Sequence, residues 1–229
     1  MAPKILFVLT SHNKLGNLDK PTGWYLPELA HPYHVLHSKT TITVASPKGG
    51  ESPLDPSSID ASKDDTISQT FLKQNESVWK TTSKLDTFLG KAADFDAIFY
   101  VGGHGPMFDL VDSPVSQQLI REFWEAGKIV SAVCHAPAVF YNARLSDGTL
   151  LVEGKEVTAF TNEEEAQVGL SEVVPFLPED KLQEASGGKF VKADAPWGEK
   201  VVVQGRLITG QNPASATGVG EAIAKALGV

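Results

Sequence analysis

Among its 229 residues the chain has one cysteine, Cys134. A lone cysteine excludes an internal disulfide, and the reducing cytosol, alone or shared with the nucleus, is the compartment expected. There is no excess of basic residues. Lys plus Arg number 20 against 28 Asp plus Glu, a formal net charge of −8. That argues against nucleic acid and anionic membrane surfaces as main partners, because both are held by a basic face. No apolar run approaches the ~20 residues that cross a bilayer. The opening run Ile5 to Leu9 is too short for a signal peptide, has no small-residue cleavage site, and reads as a first strand. Internal repeats and low-complexity tracts are also missing. What is present is an ordinary globular composition, 41% hydrophobic and 21% charged, in a length that suits one domain over 1–229 with a sizeable core.

Short, nearly continuous apolar runs at 4–10, 41–45, 97–101 and 128–134 predict parallel strands covered on both faces. Segments 26–38, 114–126 and 136–143 between or after them predict crossover helices. The alternation predicts an α/β fold with a doubly wound, mostly parallel sheet sandwiched by helices. Residues 49–90 open with turn residues and continue with helical patterns at 66–80 and 85–89; they read as a small insertion on one side of the sheet. Residues 156–160 predict a further strand. Residues 200–203 and 206–209, flanking Gln204-Gly205, predict a hairpin. A last helix is predicted over 213–227.

The sharpest local signal is Val133-Cys134-His135-Ala136-Pro137. A strand runs into the cysteine, and proline three residues later suits the first turn of a helix. Small residues on both sides, Ala132 and Ala136, permit the tight reversal that lifts a nucleophile in the G-x-S-x-G elbow. A thiol at a helix N-terminus is expected to have its pKa lowered below the free value of ~8.5, with His135 as proton carrier. The plain alternative is a buried structural cysteine.

Val101-Gly102-Gly103-His104-Gly105 ends another predicted strand, at the rim where open α/β sheets place ligands. It lacks the lysine and Ser/Thr of a P-loop. Its amides could donate to an oxyanion, or it is a plain turn. Glu28, early in the first predicted helix, is either a solvated first-turn glutamate or a carboxyl group whose pKa is raised beside a thiolate. In Thr161-Asn162-Glu163-Glu164-Glu165, Asn162 is a candidate N-cap. One of the three glutamates could orient His135 as the third member of a triad. His31, His34 and His37 share a helix without an acidic or cysteine partner at ligand spacing, so a metal site is not expected there. The tryptophans Trp24, Trp79, Trp124 and Trp197 read as packing residues.

Together these stretches, with Thr22-Gly23 through His31-Pro32 and Gly205-Arg206 through Ser215-Ala216, resemble the DJ-1/PfpI superfamily over essentially the whole chain. Within it the likeness is to the fungal heat-shock protein 31-like branch of glutathione-independent glyoxalases, also called glyoxalase III. The resemblance implies a flavodoxin-like, class I glutamine amidotransferase-like fold. It implies a lyase converting methylglyoxal, and glyoxal, to the hydroxy acid without cofactor or metal. Cys134 is then the nucleophile, His135 its partner, Glu165 (or else Glu163 or Glu164) the third triad member, and Glu28 the carboxyl group beside the thiol. Gly103, His104 and Ala136 fall at the oxyanion and substrate-binding positions, Ala136 standing where many relatives have glycine. A homodimer is implied as well. The other activities within reach of such a chain are a cysteine peptidase or amidase, a holdase chaperone or redox sensor, and protein deglycation.

Overall fold

Ile5, Phe7 and Leu9 point to one face of the first strand and Leu6 and Val8 to the other, and all five are buried in the computed structural model, which describes residues 2–229. Successive strand side chains alternate between faces, so burial of every position requires cover on both sides. That is why Ile5 to Leu9 carries no polar residue, and why the buried Ser131 of a later strand spends its hydroxyl on the Ile98 carbonyl. The strands are β1 (Lys4–Val8), β2 (Thr41–Ser46), β3 (Ser83–Lys84), β4 (Ala97–Tyr100), β5 (Ile129–Val133), β6 (Val201–Gln204) and β7 (Leu207–Gly210). They form one sheet in the order β3-β2-β1-β4-β5-β7-β6, parallel except for the β6–β7 hairpin.

The α-helices are α1 (Leu26–Leu36), α2 (Pro56–Ala61), α3 (Thr66–Gln74), α4 (Glu76–Lys80), α5 (Pro106–Asp109), α6 (Pro114–Glu125), α7 (Asn162–Val168), α8 (Pro178–Ala185) and α9 (Ala216–Leu227). Helices α1, α3 and α9 cover one face through Leu26, Leu29, Phe71, Val219 and Ile223. Helices α6 and α8 and the segment Ala136–Phe140 cover the other through Leu119, Ile120, Phe123, Leu182 and Phe140. No helix among the described residues is long and apolar enough to cross a membrane.

The architecture is the doubly wound α/β sandwich that the alternation predicts. Several details differ. Residues 136–143 are not a crossover helix: only Ala136–Phe140 coils, as a 3₁₀ turn with all five residues buried. Pro137 withholds one amide, and the segment has no polar face to turn outward. Residues 156–160 do not form a strand, because β7 already pairs with the free edge of β5. They run extended, held by the bridge Val157–Phe190 and by the Thr158 amide donating to Thr209 Oγ1. The 66–80 pattern breaks at Asn75 into α3 and α4, and 85–89 is a 3₁₀ turn over Leu85–Phe88. From within 49–90, β3 pairs with β2 and so extends the sheet edge in addition to lying over it. The hairpin turns on Gly205-Arg206, with Gly205 at φ +62°.

Strand order reverses between β1 and β4, because the chain leaves β1 for β2 on one side and later returns to the other. The carboxyl ends of strands at such a switch point leave a crevice. The loops after β1, β4 and β5 all open into it.

Candidate active site

Cys134 follows β5 directly and has φ +64°, the left-handed region that a side chain rarely adopts. Holding a non-glycine residue there costs on the order of 1–3 kcal/mol. Flanking backbone bonds fix it: the Cys134 amide donates to Gly210 O at 2.9 Å, and the Phe160 amide donates to Cys134 O at 2.8 Å. The thiol is 3% exposed yet lines a cavity of about 500 Å³. That cavity is also bordered by Tyr25, Glu28, Gly103, His104, His135 and Phe160, and at its mouth by Trp197 and Val168.

The Sγ of Cys134 lies 3.2 Å from Nδ1 of His135. Nε2 of the same ring lies 2.5 Å from Glu165 Oε2. Glu165 Oε1 is 2.9 Å from Nε2 of His104. With both imidazoles donating to Glu165, Nδ1 of His135 is the free acceptor facing the sulfur. Burial, then the neighbouring His104, holds the His135 pKa below its ordinary value against the pull of Glu165. Burial alone would raise Glu165, but the charge of His135 and hydrogen bonds from both histidines hold it well below the carboxylate range. Phe160 stacks on His135 with ring centroids 4.3 Å apart and fixes the ring plane.

Glu28 comes from the first turn of α1 and is fully buried. Neither oxygen meets a conventional hydrogen-bond partner, and the thiol of Cys134 is the polar group beside it. Burial, with the charge of Asp55, pushes its pKa well above the usual range. Gly102 makes this approach possible, since a Cβ there would collide with Glu28 Oε2, Val133 O and Cys134 Cβ. Gly103 adopts φ +103° and turns its amide toward the sulfur.

The expectation of a thiol acidified by a helix is corrected. Burial and the charge of Glu28 push the Cys134 thiol up, and only the Gly103 amide pulls it down. A five-residue 3₁₀ turn supplies little dipole. Cys134 and Glu28 therefore titrate as a coupled pair in which burial favours the neutral form of each.

Of the three adjacent glutamates, Glu165 is the one that reaches His135. Glu163 is outside the hydrogen-bonded group, and Glu164 turns back into a capping box with Thr161, which is the N-cap in place of Asn162. Ala136 is fully buried in the core and does not border the cavity. His104 does border it, with its Nε2 committed to Glu165. His31 bonds Asp65 and Thr217, while His34 and His37 lie on the open side of α1. His104, His135 and Glu165 do present three ligand atoms within 4.8 Å of one another, but here these atoms satisfy each other.

Tyr25, Phe160 and Trp197 carry no sequence signal that marks them as site residues. Tyr25 is the residue preceding α1, a place that Glu28 shares one turn on; burial and then the charge of Glu28 push its phenol pKa up. Trp197 is the exception among the tryptophans read as packing residues, being 42% exposed at the cavity mouth.

A cysteine elbow at the switch point of an α/β sandwich, backed by a histidine, an acid and a buried glutamate, defines a thiol-dependent enzyme class. The chain belongs to the DJ-1/PfpI family, whose model matches residues 26–226. It is 32% identical to glyoxalase 3 of Candida albicans, with 95% of each chain covered. It is 31% identical to a glutathione-independent glyoxalase of Saccharomyces cerevisiae, with 94% of each covered. The crystal structure of Candida albicans glyoxalase III superimposes with a TM-score of 0.86 at 30% identity, covering 98% of this chain and 97% of that one. The 24 kDa rapid encystment protein of Francisella tularensis superimposes with a TM-score of 0.90 at 35% identity, covering 98% and 99%.

Proposed function

We propose that this enzyme is a glutathione-independent glyoxalase that converts methylglyoxal, and glyoxal, to the 2-hydroxy acid. The single observation carrying the residue assignments is the contact of Cys134 with His135 on one side and unpartnered Glu28 on the other. The full-length likeness to fungal glyoxalases supports the substrate class.

The reactive form has lost one of the two protons that burial favours on the thiol and Glu28, so that one remains between them. Sγ adds to the aldehyde carbon, C1, and the shared proton passes to its oxygen. This leaves a neutral hemithioacetal and an ionised Glu28. During addition the Gly103 amide donates to the developing oxyanion. A carboxylate with a raised pKa is a better base, and Glu28 takes the hydrogen on C1. The C–H electron pair becomes a C1=C2 bond and the charge moves to the C2 oxygen. The proton on the C1 oxygen crosses to the C2 oxygen through Nδ1 of His135. Glu28 returns its proton to C2, and the C1 carbonyl re-forms as a thioester. His135 then takes a proton from water, hydroxide adds to C1, and Sγ leaves. The sum is methylglyoxal plus water giving lactic acid, with no external oxidant or reductant.

The dimer belongs to this proposal as well, and a mass by light scattering checks it. The decisive test is lactate formation from methylglyoxal without glutathione, by wild type and Cys134→Ser. Activity in the first and none in the second is expected. Retained activity in the serine variant would defeat the covalent route.

A further inference from the structure

The cavity is far larger than a methyl ketone needs. Methylglyoxal has five heavy atoms, whereas the space before the thiol is about 500 Å³, the range of pockets that bury drug-sized ligands. The lining is mixed, with Leu15, Pro21 and Pro56 beside its polar members. Lys20, Asp55 and Ser57 lie along it, while Phe160, Val168, Leu170 and Trp197 form an apolar stretch. Only four large hydrophobic side chains are exposed among the described residues, and two of them, Val168 and Trp197, stand on this mouth.

Trp197 is held there at a cost. Only two non-glycine residues have positive φ among those described, and they are the nucleophile Cys134 and Trp197, at +63°. Strain of this kind persists where the surroundings over-determine it. The Trp197 amide donates to the fully buried Glu164 Oε1 at 2.8 Å, and its indole N–H donates to Gln167 Oε1 at 2.6 Å. The ring meets Phe160 edge-on at 5.5 Å, and Phe160 stacks on His135. An aromatic series thus runs from the proton carrier beside the sulfur out to solvent.

We infer that Phe160, Val168, Leu170 and Trp197 form a subsite for an apolar, planar substituent on the 2-oxoaldehyde, so that aryl-substituted substrates are favoured over methylglyoxal. The inference rests on the glyoxalase reading. Aromatic pairs add to simple burial when they meet edge-on or offset, and the Trp197–Phe160 pair offers a phenyl ring both a face and an edge.

The test compares the products as ligands and the aldehydes as substrates. Lactate and mandelate carry the same carboxylate and hydroxyl and differ only in methyl against phenyl. Trp197→Gly is the informative variant, because glycine adopts φ +63° without strain and keeps the backbone while deleting the ring. Trp197→Phe is the rescue. By titration calorimetry, wild type is expected to bind mandelate about tenfold more tightly than lactate. Trp197→Gly should erase most of that preference and Trp197→Phe should restore it. The ratio of kcat/KM for phenylglyoxal over methylglyoxal should move in parallel. Equal binding of the two acids by wild type, or a preference untouched in Trp197→Gly, would overturn the subsite. Absence of turnover of either aldehyde, with the mandelate preference intact, would instead strike the glyoxalase reading and leave the subsite standing.

Discussion

Nε2 of His135 lies 2.5 Å from Oε2 of Glu165, and both side chains are buried. This contact leaves Nδ1 as the only ring atom able to take a proton from the thiol 3.2 Å away. A carboxamide in place of the carboxylate can present its N–H₂ to the ring and favour the opposite tautomer. Glu165→Gln is therefore expected to lower kcat by about 10²–10⁴-fold, the range lost when a triad acid is amidated or a general base removed. Steady-state lactate assays beside a far-UV circular dichroism spectrum check this. Wild-type turnover in a folded Glu165→Gln would remove the acid from the mechanism.

Glu28 gives a prediction in which stability and activity move oppositely. Its folded pKa is raised above the unfolded value of ~4.3. The folded chain thus keeps this proton where the unfolded chain has released it. The stability of that state is full below ~4.3 and declines as pH rises toward the folded pKa. Glutamine has no proton to lose. The melting temperature of Glu28→Gln minus that of wild type should accordingly rise between pH 4 and pH 8, reaching on the order of 2–6 °C. Turnover should fall by ~10²-fold or more. Thermal scans across that range decide it, and a difference independent of pH would mean that Glu28 is not held protonated by burial.

The layered sheet was legible because burial on both faces leaves a direct trace, the nearly continuous apolar runs of β1, β4 and β5. The elbow was legible for a related reason, since a strand ending in Cys134-His135 before Pro137 has few other uses. The segment after the elbow was not. Residues 136–143 carry apolar side chains on all sides, and no periodicity separates a buried 3₁₀ turn from a short helix. Residues 156–160 look like a strand by composition, and only the β5–β7 pairing denies them a partner. The signal for which glutamate reaches His135 was present, however. Thr161-x-x-Glu164 spells a capping box, which commits Glu164 backward to Thr161 and leaves Glu165, one step around the helix, to face His135. The burial of Glu28 and the left-handed backbone of Trp197 had no local signal at all. Both are imposed by distant segments, the Gly102 loop in one case and the Glu164 carboxylate in the other.

Glu164 is expected to govern stability. Its carboxylate accepts from the Thr161 amide and hydroxyl, the Trp197 amide, Gln211 Nε2 and Asn212 Nδ2, and it is fully buried. These bonds tie α7, the segment around Trp197 and the turn after β7 into one unit. Glu164→Gln would set an N–H₂ group against donors and strand at least one of them. Breaking a buried charged network in this way costs about 2–4 kcal/mol, which for a chain of this size lowers Tm by roughly 5–15 °C. Calorimetry checks the value. A Tm within 2 °C of wild type would show that the segment around Trp197 is held by other contacts.

Two glycine substitutions separate crowding at the site from ordinary backbone strain. At Gly102 an added methyl collides with Glu28 Oε2, with Cys134 Cβ and with the Val133 carbonyl, and the last cannot move without displacing β5. At Gly148 the backbone is strained for a side chain, φ +87°, but the space around it is open. Gly148→Ala should cost on the order of 1–2 kcal/mol of stability and leave kcat near wild type, since nothing in the cavity touches it. Gly102→Ala should cost a comparable 1–3 kcal/mol as overpacking and also lower kcat by at least tenfold, because relief comes most cheaply by moving the Glu28 carboxyl off the thiol. The pair is read by melting curves and lactate assays side by side. A Gly102→Ala enzyme with wild-type kcat would mean that the close approach of Glu28 to Cys134 is not needed for turnover, however tightly the fold enforces it.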